Sequence, residues 1–254
     1  MIKFFRKIRY NLMEQNKTGK YLKYAIGEIV LVVIGILIAL SINNWNQKLK
    51  NRGIEQAYIN RLIKEVEKDT SYFKDIKRQF DFKESKIIRV ISTWQIDNLR
   101  VVDSLQYIND FKSAGDINSW YIEPVTWTQL IQTGELKLIR DKELIDKLFD
   151  YYNSIKKVAD NFNQYPMSMN IRAREQWTEP FVQEAYENFN NIGDLKIIPN
   201  ANVFEKIWRN RNKYFNDYAA IAIICKHNKT HMNNLEVSSK NILKILEIYK
   251  RTIK

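Results

Sequence analysis

The stretch of sequence that decides the fold reads AIGEIVLVVIGILIALSI and covers residues 25–42. Glu28 is its only charged residue, and the centre consists almost entirely of Val, Ile and Leu. Because a helix rises about 1.5 Å per residue, roughly 20 such residues cross a hydrocarbon core about 30 Å thick. We therefore predict a transmembrane helix over 24–44. Aromatic rings favour headgroup depth, and the predicted interface anchors are Tyr21, Tyr24 and Trp45.

Two other interpretations fit the same stretch less well. Ala39-Leu40-Ser41 resembles the small-residue motif at which a signal peptide is cleaved, but the apolar run is longer than the usual h-region of 7–15 residues. A core helix of a soluble domain is the second alternative. Such helices seldom remain uncharged for this length.

The basic residues flanking this segment predict its orientation. The chain has a net charge of +12, and residues 1–23 contain seven Lys and Arg against one acid. Five basic residues follow the apolar run within about twenty positions, a bias that favours a cytoplasmic N-terminus. In residues 2–13, apolar side chains recur at helical spacing among basic ones, which is typical of a helix in the headgroup plane; the alternative is a disordered tail. The predicted partners are the lipid bilayer and its anionic headgroups, and no nucleic acid is expected.

The predicted transmembrane helix has one stripe suited to contact with another helix. At alternating spacings of four and three, the residues on this stripe are Glu28, Val32, Gly35, Ala39 and Ile42. Gly35 and Ala39 form a small-xxx-small pair that allows close approach of a second helix, with Glu28 as a polar contact. The alternative is that Glu28 extends back to the headgroups and the small residues are incidental.

Residues 45–254 are predicted to form an all-helical domain in the periplasm. Seven Gly and four Pro are few for 254 residues, which disfavours a turn-rich β fold. Residues 45–90 form one long helix, or two that break near Gly53, and the a/d stripe of a heptad pattern is Ile59, Leu62, Val66, Asp69, Phe73, Ile76 and Phe80. The run at 194–198 is the only strand-like one.

Further helices are predicted from their periodicity and their end signals. Pro124 suits the first turn of a short helix that ends at Thr133-Gly134, where Gly takes the left-handed conformation. Asp141 suits the N-cap of the next helix, which runs through Ile155. Later helices are predicted at about 155–165, 168–190, 202–228 and 233–252.

Few residues point to catalysis or to a metal. His227 and His231 are four apart with Cys225 nearby, but Lys226 and Lys229 repel a cation and no Glu lies between the histidines, so we interpret them as a solvated helix end. Glu65, Glu67 and Asp69 are expected to pair with neighbouring Lys and Arg. We predict no catalytic residue, no metal site, no cofactor and no enzyme activity.

One aromatic group has two interpretations. Its members are Trp120, Tyr121, Trp127, Tyr151 and Tyr152. They are dense enough to line a ligand pocket, yet packing in the core explains them at least as well.

The N-terminal motifs resemble a known family. Gly27-Glu28-Ile29, Gly35 to Leu40 and Asn43-Asn44-Trp45 match the pattern of an uncharacterised single-pass membrane protein family of Gram-negative bacteria, domain of unknown function 6090. A looser match runs from Leu130 to Tyr152. The resemblance implies a position in the inner membrane and a helical extracytoplasmic domain. It implies no activity and no catalytic residues.

The sequence thus predicts a membrane-anchored interaction or scaffold protein of the bacterial envelope. Its expected partner is a second copy of this chain or another envelope protein. The alternative is a periplasmic ligand-binding or sensory domain that signals through a partner, since about 23 residues on the cytoplasmic side are too few for an output domain.

Overall fold

The computed structural model describes a chain built from helices. The residues described are 10, 18–96, 102–116, 120, 122–187 and 201–253, without the side chains of 18, 20, 21, 24, 177–187, 201 and 202. Among them no strand occurs, and the predicted all-α class with a long first helix is confirmed. The predicted amphipathic segment 2–13 and the strand-like run 194–198 lie outside the described residues.

The first helix, α1, spans Thr18–Thr93 without interruption. Its 76 residues contain no Pro, so every backbone N–H is available for the helical hydrogen bonds. Of the two alternatives predicted for residues 45–90, the structure has the single helix. Gly53 costs a helix about 1 kcal/mol relative to Ala, which is too little to end one that continues on both sides.

The chain forms two compact units, residues 1–57 and 58–254. In the first unit, α1 contains a segment, starting at Ala25, that is long and apolar enough to cross a membrane. None of that apolar window is buried. The exposed fractions of Val32 and Ile42 are 54% and 60%, so the helix presents apolar side chains with no cover from the described chain.

Among its described residues, the second unit adds six α-helices and one short 3-10 turn to the C-terminal part of α1. Helix α7 packs against α4 and α5, α4 packs against α5, and α6 contacts α2, α5 and α7. The helices are α2 (Ser104–Ser113), α3 (Val125–Gln132), α4 (Lys142–Gln164), α5 (Pro166–Glu187), α6 (Ala201–Arg209) and α7 (Arg211–Thr252), with the 3-10 turn at Glu135–Leu138.

Several predicted helix ends are confirmed. The predicted cap Asp141 accepts from the N–H of Leu144 at 3.1 Å at the start of α4. Asp103, for which no cap was predicted, accepts from the N–H of Gln106 at 3.0 Å at the start of α2. Gly134 follows α3 with φ at 67°, a left-handed conformation that a side chain disfavours.

Two predicted breaks are wrong. Helix α4 continues through Ile155 to Gln164, and α7 continues through 229–232, where the sequence suggested a gap between two helices. The polar residues from His227 to His231 interrupt the apolar pattern, and the sequence therefore suggested a break there. Asn228 and Met232 are both buried, and they keep the stripe continuous.

The core of the second unit is organised around the predicted stripe of α1. Its six apolar members are all buried, and so is Asp69. Helix α7 is joined to this part of α1 by a hydrogen bond from Thr70 Oγ1 to Ser239 Oγ at 2.8 Å. In the part of the core that joins α2 to α7, Phe111 stacks on Tyr218 with ring centroids 4.8 Å apart.

A lysine side chain lies within this core. Lys83 of α1 is 4% exposed, and its Nζ donates to the backbone oxygen of Asp116 at 2.6 Å and to Oδ1 of Asn170 at 2.8 Å. Burial lowers the pKa of the Lys83 ammonium to about 8. Through these two bonds Lys83 joins α1 to the turn after α2 and to α5.

Candidate functional site

A groove with a volume of about 470 Å³ lies between segment 122–131 and helix α4. Its apolar lining includes Ile122, Trp127, Ile131 and Ile155. Small-molecule sites are concave, mostly apolar and of this size, with a few polar groups at the edge. Polar side chains line one part of the groove, and they are Thr128, Asn153, Lys156, Asp160 and Asn163.

Two stacked aromatic rings belong to this lining. Trp127 of α3 and Tyr152 of α4 stack with ring centroids 5.1 Å apart and planes inclined by 16°. Phe149 meets the same indole edge to face at 4.7 Å and is 38% exposed. The stack holds α3 against α4 and leaves apolar ring surface along the groove.

The structure separates the members of the predicted aromatic group. Four of them, Trp120, Trp127, Tyr151 and Tyr152, are buried, as core packing requires. Trp127 and Tyr152 also line the groove, whereas Tyr121 lies outside the described residues. Core packing is thereby confirmed for these four residues, and the ligand-pocket interpretation stays a prediction for Trp127 and Tyr152.

A carboxylate from α1 holds both walls of the groove. Glu65 Oε1 accepts a hydrogen bond from the Tyr152 hydroxyl at 2.8 Å, and its Oε2 accepts from the backbone N–H of Thr126 at 2.7 Å. Thr126 lies in the first turn of α3, where an N–H has no partner within the helix and a negative charge is favoured. Glu65 thus fixes the start of α3 and the ring of Tyr152 at once.

A second carboxylate lies one turn further along α1. Asp69 is 5% exposed, and its Oδ2 accepts from the Tyr151 hydroxyl at 2.8 Å. Burial, with a smaller contribution from the charge of Glu65, raises the pKa of Asp69 to about 6, although the hydrogen bond from Tyr151 lowers it. Burial and the two carboxylates also raise the pKa of both tyrosine hydroxyls, which remain protonated donors.

The expectation that these acids pair with Lys and Arg is wrong for Glu65 and Asp69. Both turn towards α4 because each finds a tyrosine donor there, whereas Glu67 is exposed. The sequence did carry a signal for this arrangement. Asp69 occupies a d position of the heptad stripe, and a polar residue at such a position must be satisfied inside the bundle.

The histidines are not at a solvated helix end. His227 and His231 lie in the middle of α7, with His227 exposed. Cys225 is 1% exposed, and burial raises the pKa of its thiol to about 11. Among the described residues, no group of three or more His, Cys, Asp or Glu is placed to hold a metal ion.

The predicted association stripe lies on one face of α1. Val32, Gly35, Ala39 and Ile42 are exposed, and a Cβ added at Gly35 would meet no atom within 4 Å. Glu28 is half-buried. Trp45 is 64% exposed, and the side chains of Tyr21 and Tyr24 lie outside the described residues. The roles of these residues in the membrane stay predictions.

Comparison with known proteins agrees with the resemblance found in the sequence. Residues 28–113 match the model of a family of unknown function, DUF6090. The predicted resemblance to this family is thereby confirmed over residues 28–113, a segment that contains Glu65 and Asp69 but neither α3 nor α4. No curated protein and no solved structure matches the chain.

We predict that Asp69→Asn removes a pH dependence from the free energy of unfolding. The folded chain binds a proton at Asp69 near pH 6 and the unfolded chain only near pH 4, so this carboxyl adds stability as the pH falls through that window. As the pH rises from 4 to 7, the free energy of unfolding of the variant should increase by about 2–3 kcal/mol relative to that of the wild type.

Urea unfolding of the intact chain in detergent, followed by tryptophan fluorescence, measures this difference at each pH. The matched control is Glu67→Gln, which removes an exposed carboxylate from the same helix. A difference between Asp69→Asn and wild type that is constant with pH would contradict the assignment.

Proposed function

We propose that this chain is a single-pass membrane protein of the bacterial envelope whose helical domain holds another protein. The observation that supports anchoring is the apolar window of α1, none of which is buried. Exposure of apolar surface to water costs about 25 cal/mol for each Å². A bilayer removes that cost along the whole circumference of the helix.

The proposed orientation follows from charge. Seven basic residues precede the apolar segment and five follow it closely, so residues 1–23 face the cytoplasm and 45–254 face the periplasm of an inner-membrane protein. The basic residues of 1–23 contact anionic headgroups. Residues 24–44 cross the membrane, with Tyr21, Tyr24 and Trp45 at its interfaces.

The proposed role is binding rather than catalysis. The stripe of α1 that contains Gly35 and Ala39 allows close approach of a second transmembrane helix, from another copy or from an envelope protein. In lipid the hydrophobic effect does not drive two helices together, so their association depends on close packing, which small residues allow. We assign no catalytic residue and no cofactor.

Labelling of single cysteines tests the proposed orientation. The natural Cys225 is 1% exposed and contributes little background. In cells with a permeabilised outer membrane, a membrane-impermeant maleimide should label Lys157→Cys directly and Lys20→Cys only after lysis. Labelling of Lys20→Cys before lysis, or protection of Lys157→Cys, would contradict the orientation.

Substitution on the stripe tests the association. The double change Gly35→Leu, Ala39→Leu fills the close-approach surface and should remove most cross-linked oligomers or co-purified partner from native membranes. Gly27→Leu, Ser41→Leu is the matched control, because at about 100° per residue both positions lie on another side of the helix. Equal recovery of oligomers or partner from both variants would contradict the association model.

The groove favours a second candidate function, a periplasmic ligand-binding or sensory domain. A cavity of about 470 Å³ with stacked Trp127 and Tyr152 in its lining suits a small, neutral, largely apolar molecule. Lys156 and Asp160, the charged residues of its lining, pair with each other and leave no net charge. Such a domain would pass its signal to a partner protein.

Saturation-transfer NMR with neutral aromatic and aliphatic fragments tests this second function on the intact chain. Binding should be lost in Ala159→Trp, because Ala159 lines the groove and an indole there fills it. Lys157→Trp places the same side chain on an exposed position of α4 and should retain binding. The ligand-binding function fails if no fragment binds the wild type, or if binding persists in Ala159→Trp.

A further inference from the structure

A second cavity, of about 640 Å³, lies between α1 and α7 in the unit 58–254, and we name it the basic cleft. Its lining contains two acidic side chains, Asp81 and Glu236, and five basic ones. The basic residues are Lys74, Lys77 and Arg78 of α1 with Lys226 and Lys229 of α7.

Each acid of the cleft already accepts a hydrogen bond from a lysine. Asp81 accepts from Lys229 at 2.8 Å, and Glu236 accepts from Lys240 at 2.6 Å. Lys229 also contacts Glu84. These hydrogen bonds lower the pKa of Asp81 and of Glu236, so both remain carboxylates.

The other four cations have no strong ion pair. Lys77 donates to the neutral Oδ1 of Asn233 at 2.9 Å. Arg78 pairs with Asp75 at 2.8 Å, but the two side chains are 68% and 58% exposed, and such a pair adds little. Lys74 and Lys226 have no ion pair among the described residues.

The positive charges of the cleft act on a carboxylate in its own lining, Glu236. Lys77 and Lys74, after Lys240, contribute to the lowered pKa of Glu236, so their charges reach a group in the lining. Cations from two helices therefore converge on one concave space, where fields add and counter-ions collect.

We infer that the basic cleft binds a polyanion that carries adjacent phosphate-type groups. The cleft offers three ammonium groups and one guanidinium, which prefer phosphate oxygens as charge-assisted acceptors. With the neighbouring Asp75, Glu84 and Lys240 included, six basic side chains meet four carboxylates, so a net charge of about +2 remains. This inference is independent of the proposed anchoring and scaffold role.

Isothermal titration of the full chain with tripolyphosphate tests the inference. The chain is held in nanodiscs of neutral phosphatidylcholine at an ionic strength of about 0.15 M, where the Debye length is about 8 Å. Saturable binding is expected, and Lys74→Gln, Lys226→Gln should weaken it by about tenfold or more, since it removes one charge from each wall. Both positions are exposed, so the variant should fold as the wild type does, which circular dichroism checks.

The control pair is Lys68→Gln, Lys244→Gln, which removes the same charge from exposed positions of α1 and α7 outside the cleft. It should change the affinity by less than about twofold, because screened charges act only at short range. Absence of binding to the wild type, or equal weakening by both pairs, overturns the inference.

A further arm identifies the source of the phosphate groups. The titration is repeated in nanodiscs that contain phosphatidylglycerol. If tripolyphosphate binding weakens there in the wild type and the Lys74→Gln, Lys226→Gln variant abolishes that competition, the groups belong to a lipid headgroup. If binding is unchanged, they belong to a soluble phosphate ester. Both results support the site.

Discussion

Helix α1 imposes the constraint on which the rest of the structure depends. From residue 25 to 42 its apolar side chains occur on every side, and from Ile59 to Phe80 they are confined to one stripe. The first pattern leaves no face that water would solvate, while the second leaves one face for a core and the other for solvent. In the unit 58–254, α4 and α7 lie where the stripe of α1 can be buried.

Buried polar side chains of the second unit lie next to this stripe. Glu65 and Asp69 accept from Tyr152 and Tyr151, so each buried hydroxyl and each carboxylate oxygen facing α4 has a partner. The hydrogen bond that Tyr152 donates to Glu65 of α1 therefore helps to hold the ring that stacks on Trp127. The groove is consequently a product of three helices, although its lining comes from only two segments.

Much of the fold could be predicted from the sequence because its signals are local. Six apolar heptad positions of α1, the Asp141 cap and the left-handed Gly134 follow from periodicity and backbone sterics. The candidate groove could not be predicted, because it requires segment 122–131 to meet α4 in space. The predicted pairing of Glu65 with Lys or Arg is wrong for a related reason. Local pairing rules take no account of a donor that arrives from a residue 87 positions away.

The burial of Lys83 has a consequence for the chemistry of the native state. With its pKa lowered to about 8, this amine is more readily deprotonated than an ordinary lysine, and a neutral amine is a nucleophile. Its two acceptors and its 4% exposure shield it from acylating reagents while the bundle is closed. Opening restores solvent access and ordinary basicity together. The rate at which Lys83 is modified therefore reports how often α1 separates from α5 and from the turn after α2.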